Sequence, residues 1–327
     1  MKHSFFILAF SIVFCLTTSC DSSGKGMRIV PESSGNINSL SVVVSNEHWE
    51  GSIGDTIRNI LAEPVYGLPQ EEPLFSMRQM PPQVFTDFAT RNRTVLKIEK
   101  GREADVKFLK DAFARPQKLV LITGQTNQEI IEQLEQNAER IITAFKNEEI
   151  KENQRRIKKS LNKNNNIEES LGLTLEFPSA YRIAKEENGF FWIRKELKTG
   201  SMNLMLYEIP LDAISDSDEA INDIIKMRDS MGKAHIPGPI EGSYMITEAS
   251  YTPFFASTII DNKPTRVTRS TWEVKNAFMA GPFINYIIED KVNDRLVVAE
   301  GFTFAPSIEK RNHMFELEAI IRSLKIK

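Results

Sequence analysis

Thr126–Leu161, TNQEIIEQLEQNAERIITAFKNEEIKENQRRIKKSL, is the stretch whose reading decides the architecture. Ile130, Leu134, Ala138, Ile141 and Phe145 recur at spacings of three and four, so one apolar stripe runs down a helix, helped by Ile131 and Ile142. Thr126 and Glu129 stand at capping-box spacing and open it. The spacing predicts one long helix whose first part packs on a sheet. Beyond Phe145 the apolar residues thin to Ile150, Ile157 and Leu161. Glu129, Glu132, Glu135 and Glu139 lie early and Arg155, Arg156, Lys158 and Lys159 late, the order that complements the helix dipole. The basic run is expected to be a solvated helix end rather than a membrane-headgroup site. Asn162–Asn166, NKNNN, is a polar break, so the helix closes one domain and hands the chain to a second.

Upstream of the helix the pattern is β-α followed by mixed strands. Ser39–Ser45, SLSVVVS, is β-branched and reads as a strand, after which Ser45 can cap a helix carrying Trp49, Ile53, Ile57, Ile60 and Leu61. Five prolines between Pro64 and Pro82 forbid a continuous helix there, with an exposed strand expected near Leu74–Met80 and a helix or turn at Val84–Ala89. Thr94–Glu99, Val106–Phe113 and Lys118–Thr123 complete a mixed sheet. Downstream, strands dominate. Gly172–Phe177, Tyr181–Lys185, Phe190–Leu197 and Met202–Ile209 are joined by short turns such as Asn188-Gly189, which implies an antiparallel meander. A helix from Asp216, stopped by Gly232, precedes strands at Tyr244–Glu248, Phe254–Ile260, Arg266–Val274, Phe283–Glu289 and Arg295–Phe304. A last helix starts at Pro306-Ser307 and buries Leu317, Ile320, Ile321 and Leu324. The fold class is therefore α+β: two domains of mixed or antiparallel sheet, with helices packed on the sheets, joined by a long helix. Their expected extents are residues 37–166 and 167–327.

The chain has 327 residues with 41% hydrophobic and 26% charged side chains, the composition of a globular protein with a core of its own. Basic and acidic residues, 41 and 44, are intermixed to a net charge of -3, which leaves no electrostatic footprint for nucleic acid. Met1-Lys2-His3, the apolar run Phe5–Leu16 and the small residues before Cys20 read as a secretory signal peptide over residues 1–19. That apolar run is shorter than the roughly 20 residues a membrane-spanning helix needs. A signal ending in small residues and Cys resembles the lipobox of bacterial lipoproteins, which implies lipidation of Cys20. Thr17 stands where that motif usually carries Leu, with Leu16 one place earlier. Residues 20–36, rich in Ser and Gly, then form a flexible tether. Of the two cysteines, Cys15 would leave with the signal and Cys20 would carry lipid, so neither a disulfide nor a thiolate site is expected.

Cys20 after its signal, the segment Gly67-Leu68-Pro69-Gln70-Glu71-Glu72-Pro73 and the closing Pro306–Lys327 resemble an uncharacterised family of Bacteroidetes lipoproteins. The resemblance implies location and fold, not activity. Leu173–Tyr181, the hairpins after it and the ending Ile320–Ile326 are similar in order to PsbP-like α/β sandwich domains, which implies an accessory or assembly role without catalytic residues.

Catalytic signatures are missing from the chain: there is no P-loop, no G-x-G-x-x-G after a strand, no H-E-x-x-H and no G-x-S-x-G. His48, His235 and His313 lie far apart and suggest no metal site, and no cofactor is implied. His235 stands in a Pro- and Gly-rich stretch where a side chain can face a cleft, with Glu241 near enough to orient it; these two are the candidate ligand-binding residues. Phe190, Phe191, Trp192, Trp272, Phe302 and Phe304 are expected in the core, a glycan or peptide platform being the alternative. The expected function is a lipid-anchored envelope protein, facing the periplasm at the outer membrane, that binds or helps assemble a protein partner. A small-ligand or glycan-binding lipoprotein is the alternative, and an envelope hydrolase with an unfamiliar site the third.

Overall fold

The structure, a computed structural model, describes residues 30–327 apart from residue 218. The signal peptide, Cys20 and the start of the tether lie outside the described residues. Two sheets, each with its own apolar core, carry the fold.

The first sheet runs β2 (Ser76–Met80), β1 (Ser39–Val43), β3 (Thr94–Lys100), β5 (Lys118–Gly124), β4 (Asp105–Lys110), and only the β4–β5 pair is antiparallel. Ser45 caps α1 (Asn46–Glu50) as expected, its Oγ accepting from His48 N at 3.3 Å, but Gly51 breaks the helix before α2 (Ser52–Leu61). The segment Val84–Ala89 falls in two 3-10 turns, Pro82–Val84 and Asp87–Arg91.

The long helix is likewise two, α3 (Asn127–Gln136) and α4 (Ala138–Ile157), with the capping Thr126 Oγ1 accepting from Glu129 N. Asn137 makes the break: its Nδ2 donates to Gln133 O at 2.9 Å while its Oδ1 accepts from Arg140 Nη1 at 2.7 Å. A side-chain amide competing for the backbone in this way bends a helix that apolar periodicity alone would continue. Ile130, Leu134, Ile141 and Phe145 are fully buried on the first sheet, and Ile157 at the far end joins the core of the second. The basic run is a solvated helix end as expected, with Arg156, Lys158 and Lys159 exposed, and its two arginines also make ion pairs and hydrogen bonds. Arg155 Nε and Arg156 Nε both lie 2.7 Å from the buried Glu152 carboxylate, and Arg156 Nη2 donates to Gly35 O at 3.0 Å.

After Asn162–Asn165, where Asn162 Oδ1 and Asn164 Oδ1 accept from Asn164 N and Asn166 N, comes a short helix that the sequence pattern does not announce, α5 (Asn166–Leu171). Most of the expected strand Gly172–Phe177 is irregular; only β6 (Leu173–Thr174) pairs, with β15 (Lys325–Ile326). The main sheet is antiparallel, ordered β10 (Met245–Thr247), β12 (Lys263–Val274), β13 (Ala277–Asp290), β14 (Arg295–Phe304), β9 (Gly200–Pro210), β8 (Phe190–Leu197), β7 (Arg182–Glu187), with β11 (Phe254–Ile260) also on β12. One face carries α7 (Arg311–Ile321), shorter at its start than the Pro306-Ser307 signal predicts. Glu72 fixes that start, its carboxylate accepting from Lys310 N at 2.7 Å and Arg311 N at 2.8 Å. The other face carries α6 (Ala220–His235). Gly232 does not stop α6. A Cβ there would lie 2.2 Å from Met245 O, so this glycine lets the helix lie against β10 and run three residues further.

Candidate functional site

The α6 face of the main sheet is built by every second residue of each strand. From β8 come Phe190, Trp192 and Arg194; from β9, Ser201, Asn203, Met205 and Tyr207; from β14, Glu300, Phe302 and Phe304; from β12, Trp272 and Val274. Phe191 points the other way into the α7 core, so the consecutive Phe190-Phe191-Trp192 serve two covered faces.

His235 is the last residue of α6, not part of the loop after it. Its ring stacks on Phe190 with centroids 4.0 Å apart, Lys185 Nζ donates to its Nδ1 at 3.2 Å, and Glu187 Oε2 is 3.7 Å away. Burial, and then the Lys185 ammonium, lower the imidazole pKa below its ordinary value. Glu241 does not join it. The turn Ile240–Ser243 closes on itself, Ser243 N donating to Ile240 O at 3.0 Å, and leaves Glu241 exposed. Among the described residues no hydrogen bond or ion pair joins the two, and the contacts of His235 are to Phe190, Lys185 and Glu187 at the helix end. Among the described residues no group of three His, Cys, Asp or Glu side chains is placed to hold a metal, and no helix is long and apolar enough to cross a membrane.

Where α6 ends and Ile236–Pro239 turns away, part of the sheet face stays open as a groove of about 510 Å³. Trp272 and Phe302 form its floor, 5.7 Å apart in an edge-on arrangement, and Trp192, Met279 and Phe304 are half-exposed around it. Trp192 Nε1 donates to Asn203 Oδ1 at 3.0 Å, and Asn203 Nδ2 donates to Ser201 Oγ at 3.0 Å. Arg194 and Glu196, which also line the groove, form an ion pair at 2.7 Å. Trp272 is only 2% exposed, and its Nε1 donor has no partner. Gly281, opposite Trp272 across the β12–β13 ladder, makes room for it: a Cβ on Gly281 would lie 3.1 Å from that nitrogen and 2.1 Å from Thr303 O. A buried indole N–H without an acceptor is uncommon, because its desolvation goes uncompensated.

The aromatic side chains were visible in the sequence as a set, but Asn203, Ser201 and Met279 were not. Their period-two placement beside Trp192 and Trp272 becomes a site only once strands from both ends of the second half lie side by side.

Other polar clusters are closed. Arg228 Nη2 lies 2.9 Å from Glu300 Oε1 between α6 and β14, Arg269 Nη2 lies 2.7 Å from Glu318 Oε2 between β12 and α7, and Arg93 Nε lies 2.9 Å from Glu149 Oε1 between β3 and α4. Each pair joins a helix to a strand or to its start. A larger depression of about 860 Å³ lies beside the β9–α6 connection, lined by Asp216, Arg266 and Glu289 among others, and offers no comparable aromatic surface.

Residues 33–158 match a family described as domain of unknown function (DUF8532), and residues 160–323 one described as domain of unknown function (DUF4837). No curated protein matches the chain. Among solved structures, 47% of the chain is similar to 89% of the Ran-binding protein Mog1p of Saccharomyces cerevisiae, at 8% identity and a TM-score of 0.31. The same share is similar to 82% of LpqN, a Mycobacterium tuberculosis protein involved in cell envelope biogenesis, at 10% identity and a TM-score of 0.27. It is also similar to 45% of a Bacteroides thetaiotaomicron protein, at 11% identity and a TM-score of 0.21. With half of its length matching that second description, the chain belongs to the DUF4837 family.

Proposed function

We propose that this protein is a non-catalytic binding protein of the bacterial envelope, lipid-anchored through Cys20, whose aromatic groove holds an apolar segment of a protein partner. The observation that carries the reading is the groove itself: a Trp272–Phe302 floor with Trp192, Met279 and Phe304 half-buried around it. Apolar side chains of the partner gain burial against the aromatic surface. The titratable side chains lining the groove, Arg194 and Glu196, neutralise one another, so the groove selects by shape and apolar surface. The signal peptide and the cysteine that ends it support the envelope address.

Selection of peptides from a random library on the folded chain tests the reading. The expected result is a consensus with large apolar residues whose binding falls at least tenfold in Phe304→Asp. Equal binding by Phe304→Asp would contradict it, and no enriched peptide together with binding of the folded chain to a glycan array, lost in Phe304→Asp, would turn the groove into a glycan site.

A further inference from the structure

The strand β11, Phe254-Phe-Ala-Ser-Thr-Ile-Ile260, lies on the margin of the main sheet. It pairs with β12 from Phe254↔Arg269 to Ile260↔Lys263, and among the described residues no strand occupies its other side. Open edges are ordinarily protected by charges, proline, bulges or shortness. β11 has none of these: it runs for seven residues without a charge, a proline or a register shift. Three of its apolar side chains are in solvent, Ile259 at 67% exposure and Phe254 and Phe255 near two-fifths, while Ile260 is buried in the core of the main sheet. Tyr66 from the first half extends the surface, its ring 5.4 Å from Phe254 and its hydroxyl donating to Thr252 O at 3.3 Å. That contact braces the entry to the strand.

The order of residues in β11 is self-complementary. In an antiparallel copy related by a two-fold axis through Ser257, each Phe255 lies opposite the other copy's Ile259, on the face that also carries Ser257. On the opposite face the register sets Ala256 across from Thr258, and Phe254 across from Ile260, which its own core already buries. All of these pairs are uncharged. The Phe–Ile pairs are of the aromatic–β-branched kind that stabilises neighbouring strands, and the small Ser257 meets itself at the axis. A heterologous strand would be chosen by charge or by pockets, and β11 presents no charge with which to choose.

We propose that β11 is a dimerisation strand: a second copy of this chain pairs with it antiparallel about Ser257, joining the two main sheets into one across a closed two-fold interface. Sedimentation equilibrium of the full chain, in detergent, is expected to give twice the mass of one chain. Ile259→Lys and Phe255→Glu, each at an exposed position, are expected to halve that mass with unchanged circular dichroism. The double variant carrying both is expected to restore the dimer, because each introduced charge then faces the opposite charge across the axis. A single-chain mass for the natural protein, or a dimer indifferent to Ile259→Lys, would overturn the proposal. A dimer lost in both single variants and not regained in the double one would overturn the register about Ser257.

Discussion

Glu318 shows how much a single buried side chain contributes here. Burial by itself would raise its carboxyl pKa, but Arg269, then Lys146 and Arg322, outweigh burial and hold it far below the ordinary carboxylate range. Arg269 Nη2 at 2.7 Å and Tyr286 Oη at 3.1 Å are its hydrogen-bond donors. A carboxylate depressed in the folded state stabilises the fold above its unfolded pKa of about 4.3, and that contribution is lost as pH falls toward the folded value. The urea midpoint is therefore expected to drop as pH is lowered from about 4.5, and Glu318→Gln to flatten that drop; equal slopes in both proteins would exclude the assignment. Arg228 is a second case. It is wholly buried, its guanidinium 3.8 Å from the Phe283 ring centroid and paired with a Glu300 that is equally buried. Arg228→Met leaves that carboxylate without its counter-charge and is expected to cost about 3–5 kcal/mol in urea unfolding, part of which Glu300→Gln in the same chain should recover.

Elements owe their placement to small residues and amides as much as to apolar periodicity. The strands β11 and β14 were legible to the residue, because alternation and turn residues bound them on both sides. Helix caps at Ser45 and Thr126 were legible too, but where helices stop was not. Gly232 reads as a stop signal, yet it is a packing glycine inside α6, and Asn137 reads as one polar residue in a long stripe, yet it divides the helix. In each case the deciding contact is local in space but invisible to periodicity. Gly232→Ala is expected to push α6 off β10 and cost about 1–3 kcal/mol by overpacking, measured by thermal or urea unfolding. Because Ile236 and Met245 line the groove, the same substitution should weaken whatever the groove binds. A variant as stable as the natural chain would show that α6 does not depend on this approach.

At the scale of the whole molecule, the two sheets are tied through the terminal helix. Glu72 from the first half caps α7, Arg311 Nη1 donates back to Pro73 O at 2.7 Å, Asn38 Nδ2 donates to Asn312 Oδ1 at 3.1 Å, and Gln154 Nε2 donates to Ala319 O at 3.0 Å. None of these long-range pairs was legible in the sequence, since nothing local marks Glu72 off from the adjacent Glu71. Glu72→Ala is expected to cost about 1–3 kcal/mol and to split one cooperative calorimetric transition into two, whereas a single unshifted transition would show that the tie is dispensable. The groove belongs to this scale as well, because its walls come from β8, β9, β12, β13 and β14 together. Its occupancy can be read at one atom. The chain has three tryptophans: Trp49 on α1 in the first half, Trp192 with its Nε1 bonded to Asn203, and Trp272 with its Nε1 unpartnered. In a ¹H–¹⁵N spectrum, titration with a peptide selected on the folded protein is expected to move the indole signals of Trp272 and Trp192 and to leave that of Trp49 in place. An unmoved Trp272 signal at saturating peptide would contradict the groove as the binding site.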